Sequence, residues 1–150
     1  MRPGVHRVFM EMALEEARCA GARGEVPVGA VLVKNGVVIA RGGNTREGAG
    51  DALGHAELEV IREGCRVLGG WRLSGCTLYV TLEPCPMCAG ACLNARLDRV
   101  VYGAADPAAG CLGSKINLFD LDFAQRPRIV AGVLEEECGR LLADFFADKR

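Results

Sequence analysis

Residues 76–104, "CTLYVTLEPCPMCAGACLNARLDRVVYGA", decide the fold. The first seven are uncharged and rich in β-branched and aromatic side chains, the composition of a buried strand. "CPMCAGACLNAR" reads as a short helix with Pro86 suited to its first turn, where a missing N–H costs nothing. "RVVYGA" is strand-like again. Strand, helix and strand in close succession is the alternation of a layered α/β fold.

The flanks extend the pattern. Residues 5–20 set Val5, Val8, Phe9, Met12, Leu14, Ala17 and Cys19 near helical spacing, which predicts an amphipathic helix ended by Gly21 and Gly24. "VGAVLVKNGVVIARGGN", residues 28–44, holds two apolar runs around Asn35-Gly36, a strong hairpin signal. Both runs are mostly apolar, so both strands are expected to be covered on each face. A polar loop through Asp51 leads to a helix from His55, stopped by Gly69 and Gly70. "DPAAGCLGSKINLF" is too polar and glycine-rich for a long element, "RIVAGV" gives a last strand, and "LEEECGRLLADFFADK" a closing helix. Its inner face is expected to carry Leu141, Leu142, Phe145 and Phe146. The expected fold is a three-layer α/β/α sandwich with a five-stranded mixed sheet, formed by residues 1–150 as one domain.

Of 150 residues half are hydrophobic and a quarter charged, and no apolar run approaches the ~18 residues of a membrane span. Glu11, Glu15 and Glu16 interrupt the N-terminal apolar positions, unlike a signal peptide, so a soluble cytoplasmic protein is expected. In a reducing compartment the eight cysteines read as packing residues or metal ligands rather than disulfides. A formal net charge of −1 argues against binding nucleic acid through bulk charge, though not through a local patch.

"HAE" at 55–57 and "PCPMC" at 84–88 carry the chemistry, both where a helix begins. Cys85 and Cys88, three apart on one turn, can bind one ion, and His55 can supply a third donor. Three protein ligands leave the fourth tetrahedral position to water, the mark of a catalytic zinc, which lowers the pKa of that water to about 7. Glu57, two residues from the histidine, is placed to carry protons without touching the metal. A rival site recruits Cys92, seven residues after Cys85, into an all-cysteine cluster, and leaves His55 and Glu57 without a role.

H-x-E followed by P-C-x-x-C is the signature known for zinc-dependent base deaminases of the cytidine deaminase superfamily. "EVPVGAVLV" at 25–33, Asn44 in "GGN", "LYVTLEPCPMCAGA" at 78–91, "RVVYGAADPAAG" at 99–110, "GS" at 113–114 and "GVLEEEC" at 132–138 resemble the bacterial tRNA adenosine deaminases. The resemblance runs from about residue 5 to 147. It implies one zinc per chain on His55, Cys85 and Cys88, proton transfer by Glu57, and conversion of the wobble adenosine of an arginine-type tRNA anticodon loop to inosine. Asn44 would bond the target base, Val28 pack on its ring, Ala56 complete the base pocket, and Asp106 lie near the flipped ribose. A homodimer would share the groove.

The chain departs from that pattern at Leu53 and Gly54, before the histidine, and at Phe123, Ala124 and Gln125, where an Asn and a His that could meet RNA are missing. Arg96, Arg99, Lys115, Arg126, Arg128, Arg140, Lys149 and Arg150 are candidates for an RNA-binding surface. Two other functions fit the motifs: a deaminase of free guanine, cytosine or cytidine, and a non-catalytic zinc protein that binds RNA.

Overall fold

A computed structural model describes residues 3–149. Its elements are α1 (Pro3–Ala22), β1 (Gly29–Lys34), β2 (Val37–Gly43), α2 (Arg46–Ala49), α3 (Ala56–Leu68), β3 (Cys76–Leu82), α4 (Pro86–Asn94), β4 (Arg99–Ala104), a 3-10 turn (Leu118–Asp120), β5 (Arg128–Val130) and α5 (Glu135–Asp148). The strands form one sheet in the order β2-β1-β3-β4-β5. β1 runs antiparallel to both neighbours, while β3, β4 and β5 are parallel, so the sheet is mixed.

Alternation along the strands divides the core in two. Ala30, Leu32, Leu78, Val80 and Val100 face α3 and α4, with Ala56, Val60, Ala89 and Cys92 across from them. Val31, Val33, Tyr79 and Val101 face the other way, against Phe9, Met10 and Leu14 of α1 and Cys138 of α5. The three-layer sandwich is as expected. At Gly29 a Cβ would lie 2.1 Å from the Ala13 carbonyl oxygen, so α1 sits directly on the β1 backbone and only glycine fits between.

The Asn35-Gly36 turn is present, with φ of 52° and 76°, the paired left-handed conformation of a type I′ hairpin. Several expectations are corrected. β2 is an edge strand with mostly exposed and half-buried positions, not a doubly covered one, because the sheet grows from β1 toward β3 and leaves β2 with β1 as its one strand neighbour. The last strand is limited to Arg128–Val130, since its sole partner β4 pairs it over three residues. Leu141, Leu142 and Phe145 are half-buried and Phe146 is exposed, so the inner face of α5 is incomplete within one chain. Cys19 is exposed rather than packed. His6 is not simply a surface residue: its Nδ1 lies 2.8 Å from the buried Tyr79 hydroxyl. The short α2 and the 3-10 turn had no clear signature in the sequence.

Candidate active site

Two helix beginnings meet at one end of the sheet. β3 ends at Leu82, and Glu83-Pro84 carry the chain to Cys85, the N-cap of α4, with Pro86 fixing the first turn. His55 is the N-cap of α3 in extended conformation (φ −88°, ψ 148°). Neither cap residue uses its side chain to cap its helix, so imidazole and thiol are free to face each other. His55 Nδ1 is 3.6 Å from Cys85 Sγ and 3.5 Å from Cys88 Sγ. With metal–sulfur bonds of about 2.3 Å and metal–nitrogen bonds of about 2.0–2.1 Å, tetrahedral geometry sets S···N at about 3.6 Å, so the three donors fit zinc. Among the described residues this trio alone brings three potential ligands within 4.8 Å of one another. Cys92 is buried in the core cluster and stands outside it, which removes the all-cysteine site.

The electrostatics suit a metal. A hydrogen bond from Cys88 and the neighbouring His55 hold the Cys85 thiol down at about 4 against burial. Cys88 is pushed up by sharing that proton and by burial. The two helix N-termini favour the thiolate form that a metal takes. Cys85 also raises His55 above the ordinary imidazole value, against burial. Glu57, 4 % exposed in the first turn of α3, is pushed up to about 7 by burial.

A cavity of about 510 Å³ opens over this cluster, lined by His55, Ala56, Glu57 and Cys85. Val28, Asn44 and Asp106 line it as well, so the structure brings together every candidate substrate-binding residue. Cys88 lies behind the wall, fully buried. Asn44 accepts the Arg46 N–H through Oδ1 at 3.2 Å, which leaves its NH2 group to a ligand. Leu82, Ala105, Ala108 and Ala109 add apolar wall. Leu142 and Phe146 of α5 close one side, so the exposed Phe146 borders the cavity instead of the core.

Sequence reasoning missed two buried carboxylates that shape this rim. Glu83, 1 % exposed, accepts from the N–H groups of Asp106, Leu112 and Ser114, each at 3.0 Å, and from the Ser114 hydroxyl. Burial works against its charge, but these four donors outweigh it and hold the carboxyl below its usual value. The loop bearing Asp106 is thereby fastened to the end of β3. Glu25 does the same opposite, accepting from Glu47 N–H at 2.9 Å and Gly48 N–H at 2.6 Å. Its partners open the loop that runs from Asn44 to His55. The available signal was a glutamate standing directly before "PCPMC" and another within "EVPVGAVLV".

Among the described residues, the candidate cations do not converge on this rim. Arg99, Arg126 and Arg128 line a second cavity at the opposite end of the sheet, away from the zinc ligands and Glu57. Arg96 lies over the Trp71 ring at 5.6 Å, Lys149 lies over Phe145 at 5.1 Å, and Arg140 is exposed on α5. Lys115 follows the loop held by Glu83, and Arg150 lies outside the described residues.

Fold and donor set together define a zinc-dependent base deaminase. Residues 4–104 match the family model of the cytidine and deoxycytidylate deaminase zinc-binding region, and the chain belongs to that family. It is 53 % identical to the tRNA-specific adenosine deaminase of Bacillus subtilis (strain 168) over 144 residues, covering 95 % of this chain and 89 % of the relative. Its identity to the enzyme of the same name from Agrobacterium fabrum is 50 %, covering 95 % and 94 % of the two chains. A solved structure from a study of A-to-I editing by tRNA:A34 deaminases at the wobble position superposes with a TM-score of 0.86 at 50 % identity, over 89 % of this chain and 98 % of that one. Guanine deaminase from Bacillus subtilis matches over 67 % of this chain and 64 % of its own, with a TM-score of 0.64 and 42 % identity.

Proposed function

We propose that this protein hydrolyses adenosine to inosine at the wobble position of a tRNA anticodon loop, of the arginine type, using residues 1–150 as one domain. Full-length similarity to tRNA-specific adenosine deaminases supports the substrate. The single observation that carries the chemistry is Glu57 on the cavity floor beside a trio of donors at zinc spacing.

When bound by His55, Cys85 and Cys88, zinc supplies a water acidic enough to act as nucleophile at neutral pH. Glu57 takes the proton of that water and passes it to the ring nitrogen as the C–O bond forms at the carbon bearing the amine. Glu57 then takes the second proton, from the newly formed C–OH, and delivers it to the amine, so that the C–N bond breaks as C=O forms and ammonia leaves. Asn44 donates through its amide to the flipped base, Val28 and Ala56 pack against the ring, and Asp106, fixed by Glu83, stands at the ribose. The protein would act as a homodimer whose two chains share the substrate groove. We place the protein in the cytoplasm, which holds tRNA and keeps thiols reduced.

The test incubates zinc-loaded protein and its Glu57→Ala variant with an arginine anticodon stem-loop carrying wobble adenosine, with free adenosine, cytidine and guanine in parallel. Inosine in the stem-loop alone, absent with the variant, is expected. The 42 % identity to a guanine deaminase favours a second reading, a free-base enzyme. Turnover of guanine without editing of the stem-loop would establish it.

A further inference from the structure

The second cavity, about 480 Å³, is a different chemical environment from the first. Strand register builds its floor. Val33 of β1 stands opposite Thr77 of β3, Thr77 opposite Arg99 of β4, and Arg99 opposite Arg128 of β5. Residues directly opposite on neighbouring strands project to one face, so two arginines stand side by side in a single row. An anion shared between two guanidinium groups so placed takes charge-assisted bonds from both. Arg126 adds a third positive charge at the rim and is held there, its guanidinium donating to the carbonyls of Phe119 and Leu121 at 3.3 Å. Of the described lining residues Asp98 alone carries a carboxylate, and one of its oxygens accepts the Gly75 N–H at 3.0 Å. Val5 and Phe9 of α1 add apolar lining on the same side of the sheet.

We propose that this cavity binds a nucleotide, its phosphate bridged by Arg99 and Arg128 with Arg126 at the rim and its ring against Val5 and Phe9. The volume exceeds what a bare phosphate needs, and apolar lining together with three guanidinium groups matches a ligand with a flat apolar end and an anionic end. The nucleotide is either free in solution or one residue of a bound RNA. The site is distinct from the deaminase cavity and does not depend on which substrate that cavity takes.

The experiment measures binding of adenosine 5′-monophosphate and of inorganic phosphate to zinc-loaded full-length protein by calorimetry, alongside thermal stability at low salt, for wild type, Arg128→Gln and Arg126→Gln. Nucleotide should bind wild type more tightly than phosphate does, and each substitution should weaken it about tenfold through loss of a charge-assisted partner. Without ligand, Arg128→Gln should melt close to wild type, because Arg128 is exposed on an edge strand. Steady-state kinetics with tRNA separates the two sources. An RNA residue as occupant predicts a raised KM in both variants, unchanged kcat, competition by the monophosphate, and a salt dependence of KM shallower by about one per lost contact. A free nucleotide predicts the binding loss with tRNA kinetics unchanged. Absence of nucleotide binding together with unchanged tRNA KM, or binding that both substitutions leave intact, overturns the proposal.

Discussion

Glu83 does not lie among the zinc donors, yet its substitution should damage the site. Four donors converge on its carboxylate. Oε1 takes the Asp106 N–H and the Ser114 hydroxyl, and Oε2 takes the N–H groups of Leu112 and Ser114. Glu83→Ala strands three backbone N–H groups, at about 1–3 kcal/mol for a buried one and nearer 1 for those at the rim, or ~4 kcal/mol in all. At 2–4 °C per kcal/mol for a chain of this size, the melting temperature should fall by about 8–16 °C. Glu83→Gln is the sharper perturbation because shape is preserved. Its amide can replace Oε1, where the Ser114 hydroxyl can turn to accept, and only the Asp106 N–H then faces a donor. The expected cost is ~1–3 kcal/mol, concentrated on Asp106, which we propose stands at the substrate ribose. Melting by calorimetry and kinetics on the stem-loop check both effects, with KM rising more than kcat falls in the glutamine variant. A glutamine variant as stable as wild type, with the same KM, would refute the view that this carboxylate positions Asp106.

Three further outcomes are expected. Cys88→Ser should lower bound zinc below one per chain by elemental analysis, and a chelator should destabilise wild type but not the variant. At Gly54 a Cβ would lie 2.8 Å from Thr45 Oγ1 and 2.9 Å from Arg46 N, so Gly54→Ala should cost ~1–3 kcal/mol in denaturant unfolding by forcing the loop before His55 open. His6 is held below its ordinary value by burial and then by Arg99. In the unfolded chain it protonates below about pH 6.5, while the folded chain resists the proton, so the stabilisation is full above that pH and is lost as pH falls toward the depressed folded value. His6→Gln, which keeps a partner for Tyr79, should therefore lose less stability than wild type between about pH 7 and pH 5, measured by urea unfolding at each pH.

The sequence by itself determined what is encoded over short range. The Asn35-Gly36 turn, the strand of residues 76–82 and the helix starting at Pro86 follow from local conformational preference and hydrophobic period. His55, Cys85 and Cys88 were legible because each sits at a helix beginning marked by its own motif, and few histidines competed for the role. Lateral order in a sheet is a long-range matter, set by which apolar faces can be covered together. Nothing inside "VVIARGG" tells that β2 ends at solvent, or inside "RIV" that Arg128 stands beside Arg99. The same holds for Glu83 and Glu25, whose backbone partners come from segments 22–31 residues away along the chain. A carboxylate reads as a surface residue until folding surrounds it with donors, and an apolar side chain such as Phe146 reads as core until folding leaves it at the mouth of a cavity. Burial belongs to the packed chain, because water is excluded by neighbours that are distant in sequence.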